Sequence, residues 1–174
     1  MVAWQWKAGG AAVTNSAGSI TSQVSASPTA GFSVVDYVVP SGGVTYTVGH
    51  GLGSAPKMII AKERNAVGAW LVYAPNFTKD EYLLLNTTGA KGTATDFWGS
   101  AVPTSSVFGG KSGFTWNAGA EIINYCFSEV PGYSSFGSYV GNGNSDGPFV
   151  YLGFRPKFVI LKRNIAGPNW VMYD

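Results

Sequence analysis

The sequence predicts an all-β fold: an antiparallel β-sandwich-type module built from an internal repeat of about 100 residues. Three observations carry that expectation. A hairpin is written twice, since Ala55-Pro56-Lys57-Met58-Ile59-Ile60-Ala61-Lys62 and Trp70-Leu71-Val72-Tyr73 return as Arg155-Pro156-Lys157-Phe158-Val159-Ile160-Leu161-Lys162 and Trp170-Val171-Met172-Tyr173. Pro156 minus Pro56, Trp170 minus Trp70 and Tyr173 minus Tyr73 each give 100, so the copies match in register. Charged residues make up only 11% of the 174 residues, against 24 glycines and 14% aromatics, a balance that suits short strands joined by glycine turns and not a helical bundle. Apolar and β-branched runs of strand length, bounded by Gly, Pro and Asn, recur along the chain.

Taken in order, Val2 to Lys7 alternates and predicts a short strand ending at Gly9-Gly10. Residues 1–30 read as this terminal strand followed by a small-residue link, with a strand around Ser19 to Val24 as the alternative. Residues 31–131 read as one complete β unit. Its first strand runs from Gly31-Phe32-Ser33 to Val39, turns at Pro40-Ser41-Gly42-Gly43 and returns through Val44 to Val48. The repeated hairpin follows. Lys57 and Lys62 have opposite parity, so the run between them is apolar on both faces and predicts an interior strand.

Glu81 to Asn86 predicts a strand, and Thr87 to Ser106 a long irregular stretch that covers an edge or carries function. Strands resume at Val107-Phe108, at Phe114-Thr115-Trp116 and at Ala120 to Ser128, where Ile123, Tyr125 and Phe127 share a face. Residues 132–174 read as the start of a second, truncated unit, because Gly132-Tyr133-Ser134 echoes Gly31-Phe32-Ser33. Tyr125-Cys126-Phe127 resembles Trp4-Gln5-Trp6, although Phe114 to Gly119 aligns with Trp4 to Gly9 as well. A chain organised in this way is expected to be part of a longer tandem array.

Composition also narrows the chemistry. A net charge of +2 with scattered Lys and Arg gives no basic stripe, so no nucleic-acid partner is expected. One cysteine, Cys126, forms no internal disulfide, and no apolar run approaches membrane-spanning length, so the chain is expected to be soluble, made in a cytoplasm and without membrane insertion. The single histidine, His50, leaves a catalytic triad only one base and reads first as a strand-end residue between glycines; a metal held by three symmetry-related copies is the sharper alternative. Asn142-Gly143-Asn144-Ser145-Asp146-Gly147 has half the spacing of a calcium loop, but Gly153 stands where the bidentate glutamate is needed, so a turn is favoured.

Asp80 and Glu81 are adjacent and would point to opposite faces of a strand, which prevents them from flanking one bond. No catalytic residue, metal or cofactor is expected. Trp70, Tyr73, Trp170 and Tyr173 are expected in packing roles. Phe97 and Trp98, in the long loop, are the candidate exposed platform for a sugar or a partner surface.

The strings Trp4-Gln5-Trp6-Lys7-Ala8-Gly9-Gly10, Gly49-His50-Gly51-Leu52-Gly53-Ser54-Ala55-Pro56-Lys57-Met58-Ile59-Ile60 and Gly141 to Tyr151 followed by Gly153-Phe154-Arg155-Pro156 resemble a repeat of tail-fibre-like and other virion proteins of bacteriophages, marine ones especially. The resemblance covers nearly the whole chain. It implies an all-β virion module, assembled in the host cytoplasm and exposed on the particle, that contacts other virion proteins and a host surface or glycan. A homo-oligomer, trimeric in one arrangement, is part of that expectation. Capsid decoration or a head fibre, and a carbohydrate-binding module or glycan-degrading spike, are the rival roles.

Overall fold

The computed structural model of the protein describes residues 5–174. Among them it contains no α-helix, and antiparallel pairing joins every strand. Eight strands form one sheet in the order β1-β2-β3-β10-β5-β6-β7-β8. These are β1 (Val13–Asn15), β2 (Ser22–Ser27), β3 (Phe32–Val38), β5 (Met58–Glu63), β6 (Leu71–Tyr73), β7 (Glu81–Leu84), β8 (Gly92–Thr93) and β10 (Glu121–Phe127). Two further ribbons pair β4 (Thr45–Gly49) with β9 (Val107–Lys111), and β11 (Val159–Leu161) with β12 (Val171–Tyr173).

β10 sits centrally because both of its faces are largely apolar. It pairs along its whole length with β3, from Glu121 opposite Val38 to Phe127 opposite Phe32. Its other edge pairs with β5, from Ile122 opposite Glu63 to Phe127 opposite Met58. Ile123, Tyr125 and Phe127 share a face as the alternation requires, yet the more deeply buried face is the other one, Ile122, Asn124 and Cys126. Across the neighbouring strands that face continues through Val35 and Tyr37, Ile59 and Ala61, and Leu71 and Tyr73, all buried.

The β4–β9 ribbon lies over this face. The Tyr37 ring is 5.8 Å from that of Tyr46 and 6.2 Å from that of Phe108. The expected β3–β4 hairpin does not form, because β2 and β10 already occupy both edges of β3. Gly42 and Gly43, both at positive φ, lead the chain out of the sheet instead, and β4 pairs with β9. The two glycines of β9 permit a close fit: a Cβ on Gly110 would meet Tyr46 Oη at 2.5 Å, and one on Gly109 would meet Trp98 O at 2.4 Å.

Other expectations shift as well. Of the strand expected over Val2 to Lys7, residues 1–4 lie outside the described residues, and Gln5 to Lys7 are not in a strand. The small-residue segment that follows supplies β1 and β2, which extend the sheet. Its small side chains suit close packing, since a Cβ on Gly18 would stand 2.3 Å from Thr47 O. Phe114-Thr115-Trp116 is a turn and not a strand, with Trp116 buried and Phe114 exposed.

The two hairpins pair identically at an offset of 100. Ile59 opposite Tyr73, Ile60 opposite Val72 and Ala61 opposite Leu71 become Val159 opposite Tyr173, Ile160 opposite Met172 and Leu161 opposite Val171. Their surroundings differ. The first hairpin is flanked by β10 and β7, whereas among the described residues β11 and β12 pair with each other alone. Residues 132–158, which echo the start of the first unit, hold no strand. The strand that Phe32 begins is held between β2 and β10, and no comparable neighbours exist for the echo among the described residues.

Ile122 is fully buried between two paired strands. Ile122→Ala is expected to cost about 2–5 kcal/mol of stability, read as a lowered midpoint in urea unfolding, because the paired strands on both sides restrict collapse of the cavity.

Candidate functional site

Phe97 and Trp98 do not form an exposed platform. They are 7% and 3% exposed and belong to the core. Asp96 and Gly99, at φ of 59° and 82°, turn the chain so that the two rings point inward. Phe97 stacks on Tyr82 with centroids 4.0 Å apart, and Trp98 meets Tyr73 edge-on at 5.8 Å. The indole Nε1–H of Trp98 donates to Glu81 O at 2.9 Å, and its backbone N–H donates to Lys79 O at 2.8 Å.

An ion network fastens the same loop. Lys79 Nζ donates to Asp80 at 2.8 Å and to Asp96 at 2.5 Å, the Asp96 N–H donates to Asp80 Oδ1 at 2.6 Å, and Lys91 pairs with Glu81. The hydrogen bond from Lys79 holds the Asp80 and Asp96 carboxyls below their ordinary range, and that from Lys91 does the same for Glu81. All of these carboxylates are therefore ionised and engaged. They anchor the loop near β7 and β8 and leave no carboxylic acid there to protonate a substrate.

His50 is completely buried. The backbone N–H of Leu52 donates to Nδ1 at 3.2 Å, so Nε2 carries the proton and donates to the Thr104 carbonyl, also at 3.2 Å. Burial lowers its pKa and keeps the ring neutral. With both nitrogens engaged and no exposed surface, it cannot meet symmetry copies around a metal. It pins the end of β4 to the segment before β9.

The loop from Asn142 to Gly147 closes on itself. Asn142 Oδ1 accepts the Asn144 N–H at 3.1 Å, and Asn144 Oδ1 accepts the Asp146 N–H at 3.0 Å. Among the described residues, no cluster of three or more His, Cys, Asp or Glu side chains is placed to hold a metal ion. Nor is any helix among them long and apolar enough to cross a membrane. Cys126 is fully enclosed and burial pushes its thiol up to about 12, which removes it as a nucleophile.

Two surface grooves can be described. One is open and bounded by Ile20 to Gln23, Asp36 to Val38, Arg64 and Glu121; Arg64 donates to Asp36 at 3.3 Å and to Glu121 at 3.1 Å, so its charges are already paired. The other lies between Leu85 to Thr88 and Asn169-Trp170, where the second hairpin meets the main sheet. Trp170 Nε1–H donates to Leu84 O at 3.0 Å, the Lys91 N–H to Asn164 O at 3.0 Å and the Gly167 N–H to Thr88 O at 3.1 Å.

Exposed aromatics are frequent in residues 132–174. Phe149, Tyr151 and Tyr173 are 89%, 82% and 60% exposed, joined by Tyr133 and Tyr139. Tyr173 departs from its expected packing role, while its counterpart Tyr73 is buried and donates its hydroxyl to Phe77 O at 2.9 Å. The surface of residues 132–174 is therefore the candidate functional site. It presents exposed aromatic rings to solvent. The signal for it in the sequence was the repeat itself, since the second copy has no flanking strands of its own within these residues.

The fold is antiparallel and all-β among the described residues, with several exposed aromatic side chains in residues 132–174. The chain belongs to the family described as Domain of unknown function (DUF7483), whose profile matches residues 1–174. No curated protein and no solved structure is significantly similar to it.

The depressed pKa of His50 gives a pH dependence of defined sign. Its folded value lies below the ordinary 6.5, so the unfolded chain takes up the proton first as the pH falls. The stability contribution is complete above 6.5 and is lost as the pH drops through the folded value. Urea midpoints across that window should fall for the native protein and stay flat for His50→Gln, which is less stable throughout. Cys126 should resist a thiol reagent in the folded protein and react at the rate of unfolding, followed by absorbance of the released chromophore.

Proposed function

We propose that the protein is a structural module of a bacteriophage virion, of the tail-fibre-like type, that takes part in host-surface attachment. The observation that carries this reading is the pair of hairpins with one register at an offset of 100, the first enclosed by the sheet and the second, among the described residues, a two-stranded ribbon. A unit of about 100 residues repeated in this way suits a scaffold extended by addition of like modules. In that reading each complete unit is a two-layer β-sandwich, its second layer begun here by the β4–β9 ribbon.

The resemblance of the Trp4 to Gly10, Gly49 to Ile60 and Gly141 to Pro156 strings to phage virion repeats supports the assignment. So does the chemistry: the candidate site offers aromatic surface, and the titratable groups near Trp98 are paired. Attachment works through exposed rings such as Phe149 and Tyr151, displayed in several copies on a homo-oligomer. Weak single contacts to a host glycan or envelope protein then combine through effective concentration.

Electron microscopy of purified virions labelled with an antibody against residues 132–174 tests the reading. Label at the distal tail is expected. Label over the capsid shell would replace attachment with a decoration role, and absence of the protein from particles would overturn the proposal.

A further inference from the structure

Of the ten asparagines in the sequence, only Asn142 is followed by glycine. The order matters chemically, because a backbone nitrogen can attack the side-chain carbonyl of the asparagine before it, and glycine presents that nitrogen with no side chain in the way. The other nine precede residues that carry a β-carbon, among them Phe77, Tyr125, Ile165 and Trp170.

The structure leaves this pair accessible. Residues 141–150 are exposed throughout and lie in no strand. A Cβ built on Gly143, whose φ is 71°, would meet nothing within 4 Å among the described residues. Asn124 is the opposite case: it is 1% exposed in the middle of β10, where pairing with β3 and β5 fixes its backbone.

The loop also prepares the carbon that would be attacked. The Asn144 N–H donates to Asn142 Oδ1 at 3.1 Å. A donor at that oxygen stabilises the negative charge it takes up when a nucleophile adds to Cγ, as the donors of an oxyanion hole do. Asn144 has a similar donor, the Asp146 N–H at 3.0 Å, but it is followed by Ser145. Asn142 alone combines such a donor with a glycine.

We infer that Asn142 is a site of spontaneous deamidation, and that its conversion opens the loop from Asn142 to Gly147. Gly143 N, its proton lost to hydroxide, bonds to Asn142 Cγ. The side-chain amide nitrogen takes a proton from water and leaves as ammonia, so a cyclic imide remains. Water then adds to one imide carbonyl and breaks its C–N bond. The product is aspartate, or isoaspartate in which the main chain runs through the former side-chain carbonyl.

Either product disturbs the loop. Asn142 Nδ2 donates to Asp146 O at 2.9 Å, and a carboxylate cannot donate. The new charge instead faces that carbonyl, and the bond that closes the loop is lost. One added carboxylate takes the formal net charge from +2 to 2 − 1 = +1. The change falls close in sequence to the exposed rings of Phe149 and Tyr151. The inference stands on the loop alone and does not require the virion reading.

Peptide mass spectrometry on the whole protein, aged in warm, mildly alkaline buffer made with heavy-oxygen water, tests it. Asn142 is expected to convert fastest of the ten asparagines, taking up labelled oxygen at a rate that rises several-fold per pH unit. Gly143→Ala should slow conversion about tenfold or more, because a side chain now crowds the attacking nitrogen, while the urea midpoint stays that of the native protein. Hydrogen exchange of the 144–146 amides should quicken in the converted protein and stay unchanged in material kept in mildly acidic buffer. The site is overturned if Asn142 remains intact while other asparagines convert, or if it converts in a synthetic peptide of residues 138–148 and not in the folded protein. Unchanged exchange of 144–146 after full conversion overturns the loop opening.

Discussion

The structure depends on the double pairing of β10. This strand, contributed late in the sequence, joins β3 to β5, two strands that have no contact edge with each other in the sheet order. Without it the sheet separates into β1-β2-β3 on one side and β5 through β8 on the other. Its inward face also supplies Ile122 and Cys126 to the core beneath the β4–β9 ribbon, so one strand organises both the hydrogen-bonded layer and the packing against it. Asn124, buried on that same face, shows that the position is held by its neighbours and not by polar convenience.

Much of this was legible from the sequence, and the rest fails for identifiable reasons. Apolar runs located β3 and β7, and alternation in β10 placed Ile123, Tyr125 and Phe127 on one face, because such patterns are local properties of the chain. It could not name partners. β4 reads as the return arm of a hairpin until the edges of β3 are known to be occupied, which is a non-local fact. Phe97 and Trp98 read as displayed because they interrupt a long polar stretch; the left-handed backbone at Asp96 that turns them inward has no strong signature, since most residues avoid it. His50 was read correctly as a strand-end residue between glycines, while its partner Thr104, over 50 positions away, could not be inferred from spacing.

The two hairpins form an internal control on what decides burial. Their apolar patterns and registers agree, while their surroundings differ. In the sheet, Leu71, Val72 and Tyr73 are buried; in the ribbon, Val171, Met172 and Tyr173 are exposed. A strand pattern is thus a capacity for burial that neighbouring strands realise. A two-stranded ribbon has little stability of its own, and this one is held by the Trp170 indole and by backbone bonds from Lys91 and Gly167 rather than by a core.

The late position of β10 also sets a timetable for synthesis. The last residue of β3 is Val38 and the last of β10 is Phe127, 127 − 38 = 89 residues later. At a translation rate of about 5–20 residues per second, β3 waits about 4–18 seconds for its partner to be made. During that interval the edges of β3 and β5 that β10 will cover stand open on the ribosome. A chain of this design gains from anything that occupies those edges in the meantime, and neighbouring nascent chains on one message are the nearest source of wrong partners.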